Sequence, residues 1–416
     1  QSCAVAPVVC DLTFNSLPII GNESTAGALD GSVTVSATSS NSPIEYNLGA
    51  DFIYGSGQSS GTFTGLTAGT YWVYARDAGN CQDSMAVLVG LDKTYSSIYD
   101  LEYEDRVGNL TKIEILERDY AGATTEITGG ETPIIARLRG EGEDDKFVPI
   151  IGSEIELSLV SVTNYQFQNL FTSDPNKYRV TYSKDFGSGF ELLLTTKLLP
   201  NQYKEAYTEP PYGVAFLATD GLALLKDIPF TDGSGNRLQG SYKSLDLIAF
   251  CLRNTGLNLN IRVAISLYAE GMDDDPTTSD DPLDQAYVDT DAYYFNDTPS
   301  CLDILRYILE PFDAQVVQWG NVWNIMRVEQ RVDEFDYREF DDLGVYISNG
   351  TFDPVLTSQS STQEDLIWQS DPTMEINNAY GLIQLNYTLG LRENLLKNGD
   401  FKLKSQPSFF SPTGWI

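Results

Sequence analysis

"SLDLIAFCLRNTGLNLNIRV" at residues 244–263 and "CLDILRYILEPFDAQVVQW" at residues 301–319 align at an offset of 57, with Leu245 falling on Leu302. Leu245, Asp246, Leu247, Ile248, Phe250 and Leu252 in the first copy match Leu302, Asp303, Ile304, Leu305, Tyr307 and Leu309 in the second. Each copy has apolar residues at helical spacing and then a strand-like run, so each reads as an amphipathic helix plus a strand. Ser244 and Ser300 are candidate N-caps, and Asp246 and Asp303 suit the positive ends of the two helices. Gly256 suits a helix stop, and Pro311 helps to end the second helix. "AQVVQWGNVWNIMRVE" (314–329) then reads as a hairpin turning at Gly320-Asn321. Chance similarity of two amphipathic helices is the competing explanation, and the matched acidic position favours a true repeat. Residues 241–330 are therefore expected to form an α+β domain from a duplicated helix-strand unit.

N-terminal to this domain the periodicity changes from helical to alternating. Residues 11–90 contain "GSVTVSA" (31–37), "PIEYNLG" (43–49), "GTFTGLTAGTYWVYARDAGNC" (61–81) and "SMAVLVG" (84–90), separated by Gly, Ser and Asn. That spacing predicts a β-sandwich. Phe63, Leu66, Tyr71 and Val73 are its expected core residues, and Gly65 and Gly69 its tight-turn residues. Strand alternation puts Trp72 and Tyr74 on the opposite face, where they are the side chains available to a partner. From 92 to 230 the runs "LTKIEILER" (110–118), "TPIIARLRG" (132–140), "GSEIELSLVSV" (152–162) and "GFELLLTTKLLP" (189–200) predict a small barrel or curled sheet. Residues 331–393 read as arms or linkers with one strand at 379–390. The expected layout is multidomain and mainly β with α+β, divided at 1–91, 92–240, 241–330, 331–393 and 394–416.

The chain has 416 residues, with 26 basic against 59 acidic ones and a net charge of −33. Affinity for nucleic acid rests on basic groups meeting phosphates, so a DNA binder is not expected. A wall past which DNA slides unbound is compatible with this charge, as is solubility alone. There is no histidine, which removes the commonest general base and metal ligand. No phosphate loop, dinucleotide motif, G-x-S-x-G elbow or CxxC occurs, so no catalytic residue, metal or cofactor is assigned. Glycoside hydrolysis survives as a reading only because carboxylates are abundant. No run approaches the ~18 apolar residues of a membrane-spanning helix.

Of the five cysteines, Cys10 and Cys81 bracket the first module as either a disulfide or two reduced thiols. Cys251 and Cys301 fall in the helical repeats and read as buried thiols. The acidic stretch 271–297 is oxygen-rich but lacks the order of an EF-hand, and reads as a solvated loop with calcium as the alternative. Tyr307, Trp319 and Trp323 would form either a sugar-stacking face or, the favoured reading, packing on the repeat helices. The chain begins at Gln1 without a methionine, so a leader or earlier residues are expected to precede it.

Three resemblances bear on function. Cys10, "DGSVTV", "SPIEYNL" and "GTFTGLTAGTYWVYARDAGNC" together resemble an Ig-like repeat of Bacteroidetes surface proteins, found in gliding-motility adhesins and in some phage proteins of those hosts. "NLLKNGDFKLKSQPSFFSPTGW" (394–415) resembles the opening strands of a carbohydrate-binding jelly roll, with the chain expected to continue beyond residue 416. "FVPIIGSEIELSL", "GFELLLTTKLLP", "ATDGLALLKDIPF" and the two helix-strand copies are similar to baseplate hub or tail-tip proteins of tailed phages of Bacteroidetes. Gly152, Ile155 and Leu157 fit the family's first barrel strand. Its usual Phe-x-Gly is replaced by "LLTTKLL" (193–199). The hub resemblance implies a barrel, a homotrimer continuing the tail tube, and a place in the virion's tail tip. Its implied partners are tail-tube, distal-tail, tape-measure and fibre proteins, with DNA passing through unbound. A host-surface glycan or protein is the further partner implied. The competing reading is a secreted adhesin at the cell surface, with the sandwich as its working unit. On a hub, Trp72 and Tyr74 are expected to contact a neighbouring tail subunit rather than a glycan.

Overall fold

The computed structural model describes residues 10–14, 17–25, 27–91, 93–105, 108–140, 148–232, 235–294, 297–327, 335–352, 404–406 and 409–412. It is mainly β, with several sheets and three apolar cores.

The first core lies within eight short strands: β1 (Thr13–Phe14), β2 (Ile19–Gly21), β3 (Gly31–Thr34), β4 (Ala37–Thr38), β5 (Ile44–Leu48), β6 (Thr62–Leu66), β7 (Gly69–Asp77) and β8 (Gln82–Val89). Two three-stranded sheets, β2-β3-β6 and β5-β7-β8, enclose Val33, Leu66, Val73, Ala75, Val87 and Val89. Alternation along β7 buries Val73, Ala75 and Asp77 and turns Trp72 outward. Phe63 and Tyr71, expected in this core, are only half-buried at its margin. Neither glycine expected at a tight turn lies in one: Gly65, with a left-handed φ of 77°, is the extra residue of a bulge within β6, and Gly69 is a strand residue paired with Val89. Cys10 and Cys81 form a disulfide, which resolves the open choice between bridge and free thiols.

The second group comprises β9 (Tyr95–Glu104), β10 (Leu110–Arg118), β11 (Thr125–Glu126), β12 (Thr128–Gly140), β13 (Ile150–Ser161), β14 (Tyr178–Asp185), β15 (Phe190–Leu198) and β16 (Tyr212–Thr219). Pairing runs β9-β10-β14-β15-β16-β13-β12, and β11 returns to lie parallel to β9. Only Ile127 separates β11 from β12, and its N–H donates to Asp100 O, so one run of chain joins both ends of the sheet into a ring. Ile113, Ile115, Ile155, Leu157, Leu159, Val180 and Phe216 fill the interior. The alternation of Ile155, Leu157 and Leu159 with Glu154, Glu156 and Ser158 puts one face of β13 in this core.

The third group contains β17 (Ser241–Lys243), α1 (Ser244–Arg253), β18 (Ile261–Ala264), α2 (Pro282–Gln285), β19 (Tyr287–Asp289), α3 (Cys301–Leu309), β20 (Ala314–Trp319), β21 (Val322–Arg327), β22 (Phe335–Phe340) and β23 (Tyr346–Phe352). Both copies of the repeat are a helix followed by a strand. Their strands flank β21 in opposite directions, β18 parallel and β20 antiparallel to it. Leu245, Leu247, Ile248 and Leu252 are buried together with their counterparts Leu302, Ile304, Leu305 and Leu309. Cys251 and Cys301 are buried thiols in contact between the two helices, and burial pushes the Cys251 thiol up. Gly320 and Asn321 both take left-handed φ in the β20-β21 turn, as the hairpin requires. The helix caps differ between the copies. Ser300 caps α3 in a reciprocal capping box with Asp303, but α1 is capped at Lys243 without a side-chain bond. Ser244 is instead the first helical residue, and its N–H is already used by Ala286 O.

β13 ties the second group to the third. Its Ile150 and Ile151 pair in parallel with Val316 and Val317 of β20, extending the barrel strands into the sheet β20-β21-β18-β22-β23. Side chains reinforce the junction: Gln318 Nε2 donates to Thr195 O, and Thr195 Oγ1 to Asn321 Oδ1. β24 (Lys404–Gln406) and β25 (Phe409–Pro412) form an antiparallel pair. The strand expected at 379–390 and most of the jelly-roll-like segment 394–415 lie outside the described residues.

Candidate functional site

Trp72 lines a cleft of about 1150 Å³ between the sandwich and the helix-strand unit. One wall is the outer face of β7 and β8, where Trp72 pairs with Ala86 and is 47% exposed. Gln82, Ser84 and Leu88 continue that wall. Tyr74 stands two residues along the same face, half-buried and paired with Asn47 and Ser84, but it does not line the cleft. The structure therefore separates the two expected contact residues: Trp72 faces the cleft and Tyr74 lies away from it.

The opposite wall is α1. Asp246, Ala249, Phe250 and Arg253 line the cleft at helical spacing, with Ala249 buried in the third core and Phe250 half-buried against that core. The helix thus buries Leu245, Leu247, Ile248 and Leu252 while presenting a mixed stripe to the cleft. Lys243 Nζ donates to Asp284 Oδ1 at 2.7 Å at the helix entrance. Asp246 is pushed up to about 6, chiefly by burial, against the pull of the Lys243 charge. Arg253 faces Asp342 at 3.7 Å, and the 343–346 turn closes the end of the cleft. Chemically the cleft offers the Trp72 indole among the exposed apolar side chains of Ile19, Leu88 and Val345, the half-buried Phe250 ring, and the Lys243–Asp284 and Arg253–Asp342 pairs. Asp246 and Arg253 escaped sequence reading because the polar stripe of an amphipathic helix ordinarily faces water, and Phe250 because it reads as an apolar position of the repeat.

The aromatic trio of the hairpin is dispersed. Trp323 is fully buried in the third core, Trp319 is 45% exposed, and Tyr307 stacks on Tyr293 at 5.8 Å. Trp323 therefore packs on the helices, and no three-ring stacking face forms. In the acidic stretch, Asp281 caps α2 through Leu283 N, and Arg338 clamps the loop by donating to Thr278 O and Asp275 O. Among the described residues no group of three or more Cys, Asp or Glu is placed to hold a metal ion. No helix among them is long and apolar enough to cross a membrane.

A second polar cluster, unforeseen from sequence, joins the barrel to α1. Lys197 of β15 is buried, and its Nζ donates to Asn176 Oδ1 at 3.1 Å. Arg179 of β14 lies over the Tyr95 ring at 3.8 Å and donates to Gly256 O. Burial, then the Arg179 charge, lowers Lys197 to about 8. Asp220 is buried nearby, accepts from the N–H groups of Ser153 and Leu222, and is pushed up to about 6 by burial. Compared with family models, curated proteins and solved structures, the chain matches none.

Proposed function

We propose that the chain is a structural subunit of a phage tail tip or baseplate, a hub in the virion that ends the tail tube and carries β modules outward. In this reading residues 1–91 are an Ig-like sandwich for host attachment or fibre docking, 92–240 the barrel-like hub domain, and 241–330 the duplicated helix-strand domain. Residues 331–393 are a connecting arm, and 394–416 open a carbohydrate-binding-like module. The partners are further copies of the chain, as a trimer, with tail-tube, distal-tail, tape-measure and fibre proteins. The work proposed is assembly rather than catalysis. The observation that carries it is the shared strand β13, which belongs both to the strand ring and, through Ile150 and Ile151, to the helix-backed sheet. Two residue pairs of backbone bonding couple the ring to the sheet through one strand, which supports a ring built to transmit force. The −33 charge supports a wall that lets DNA pass without retaining it.

The Cys10–Cys81 disulfide favours a second reading, a secreted adhesin, because such bridges persist in oxidising compartments. Antibody labelling of purified phage particles and of host cells separates the two. Label at the tail tip is expected. Label confined to the cell surface, with none on particles, would replace the hub by the adhesin.

A further inference from the structure

Lys197 is only 5% exposed yet makes no salt bridge among the described residues, whereas Lys112, Lys177, Lys184 and Lys243 all pair with carboxylates. A buried ammonium without a counter-charge is costly, so this position needs a reason of its own. What the amine does have is an amide. Its Nζ lies 3.1 Å from Asn176 Oδ1, and a small rotation of the flexible lysine stem carries it from that oxygen to the carboxamide carbon. Asn176 is held for the encounter through its backbone: its N–H donates to Asp174 Oδ1, and its carbonyl accepts from the Tyr95 hydroxyl at 2.6 Å. Its Nδ2 makes no hydrogen bond among the described residues, and the residue is half-buried. Two glycines with left-handed φ admit the pair. A Cβ on Gly256 would stand 2.6 Å from Asn176 Oδ1, and one on Gly221 would stand 3.3 Å from Lys197 Cε.

We propose that Lys197 and Asn176 join in an intramolecular amide bond that clasps the open end of the β14-β15 hairpin. Nζ attacks Cγ of the carboxamide, the bond from Cγ to Nδ2 breaks, and one proton of the amine passes to Nδ2, which departs as ammonia. No oxidant or second reactant is needed. Burial and the Arg179 charge lower the amine to about 8, so near that pH about half of it is neutral and nucleophilic. Asp220, the buried carboxyl next to Gly221, acts on the amine through its charge and takes up the proton that the ammonium form must lose. The product is neutral, so the buried charge disappears with the reaction. Exchange of one amide for another is slow even between aligned groups, so fresh chain holds the free pair and the bond accumulates with age. The clasp joins positions 21 residues apart, in the strand whose Thr195 bonds Asn321 of the β20-β21 turn. It belongs to the folded chain, whether that chain serves a tail tip or a cell surface.

Peptide mass spectrometry of the full chain, sampled fresh and after several days at pH about 8, tests it. The aged parent is expected to give a branched tryptic peptide joining residues 176 and 197, lighter than the sum of its linear components by one ammonia, and to resist cleavage after Lys197. Lys197→Met and Asn176→Ala are expected to abolish that peptide, and Asp220→Asn to slow its appearance at least about tenfold, with circular dichroism confirming that each variant is folded. Aged parent that yields only linear peptides, or that loses ammonia only as a cyclic imide at Asn176, would overturn the inference. An unchanged rate in Asp220→Asn would overturn the part given to that carboxyl.

Discussion

Lys197 shows how single residues couple this fold to pH. Its amine sits in the barrel wall with one side-chain acceptor, Asn176, and the guanidinium of Arg179 nearby, so the folded state disfavours its charged form. Its folded value of about 8 lies below the usual 10.5. Between those values the unfolded chain binds more protons than the folded one. The Lys197 contribution is therefore present above 10.5 and is lost as pH falls through about 8. Lys197→Met is expected to match or exceed the parent's stability at pH 7, by up to about 1–3 kcal/mol. It should also lack the parent's relative gain between pH 8 and 10.5. Urea melts of both proteins across that range check this, and identical pH slopes would show that the amine is not held as described. Asp220 makes the opposite case, because its carboxylate is buried yet accepts from two backbone N–H groups. Asp220→Ala leaves both donors unpaired and is expected to cost about 2–4 kcal/mol, read as a lower denaturation midpoint.

At the scale of elements, the two repeat helices offer an internal control. Ser300 bonds Asp303 N, and the Asp303 carboxylate bonds Ser300 N, whereas Ser244 makes no capping bond. Ser300→Ala is expected to cost about 1 kcal/mol and Ser244→Ala a few tenths, and chemical denaturation of the two variants side by side gives the comparison. Equal costs would mean that the box adds nothing. The repeat itself contained the correct cap: the residue matching Ser300 at the offset of 57 is Lys243, while Ser244 matches Cys301. Ser244 stands one residue past the register position of the cap, inside the first turn of α1. The helices, the Gly320-Asn321 hairpin and the buried stripe of β13 were legible because each follows from local periodicity or turn chemistry. Ring closure through Ile127, the parallel graft of β20 on β13 and the opposed directions of β18 and β20 were not. They depend on which strands pair, and alternation along one strand does not specify its neighbours. The cleft was legible only through Trp72, since its other wall reads as an ordinary solvent-facing helix surface.

At the scale of the molecule, charge sets what can approach. Repulsion between copies acts over the Debye length, roughly 30 Å at 0.01 M salt and about 8 Å at 0.15 M. The same charge predicts no retention of the chain by immobilised double-stranded DNA even at about 0.01 M salt, where phosphate binders hold most tightly. DNA-column runs across a salt series from about 0.01 to 0.15 M test this expectation. Retention on DNA would remove the case for a passive acidic wall.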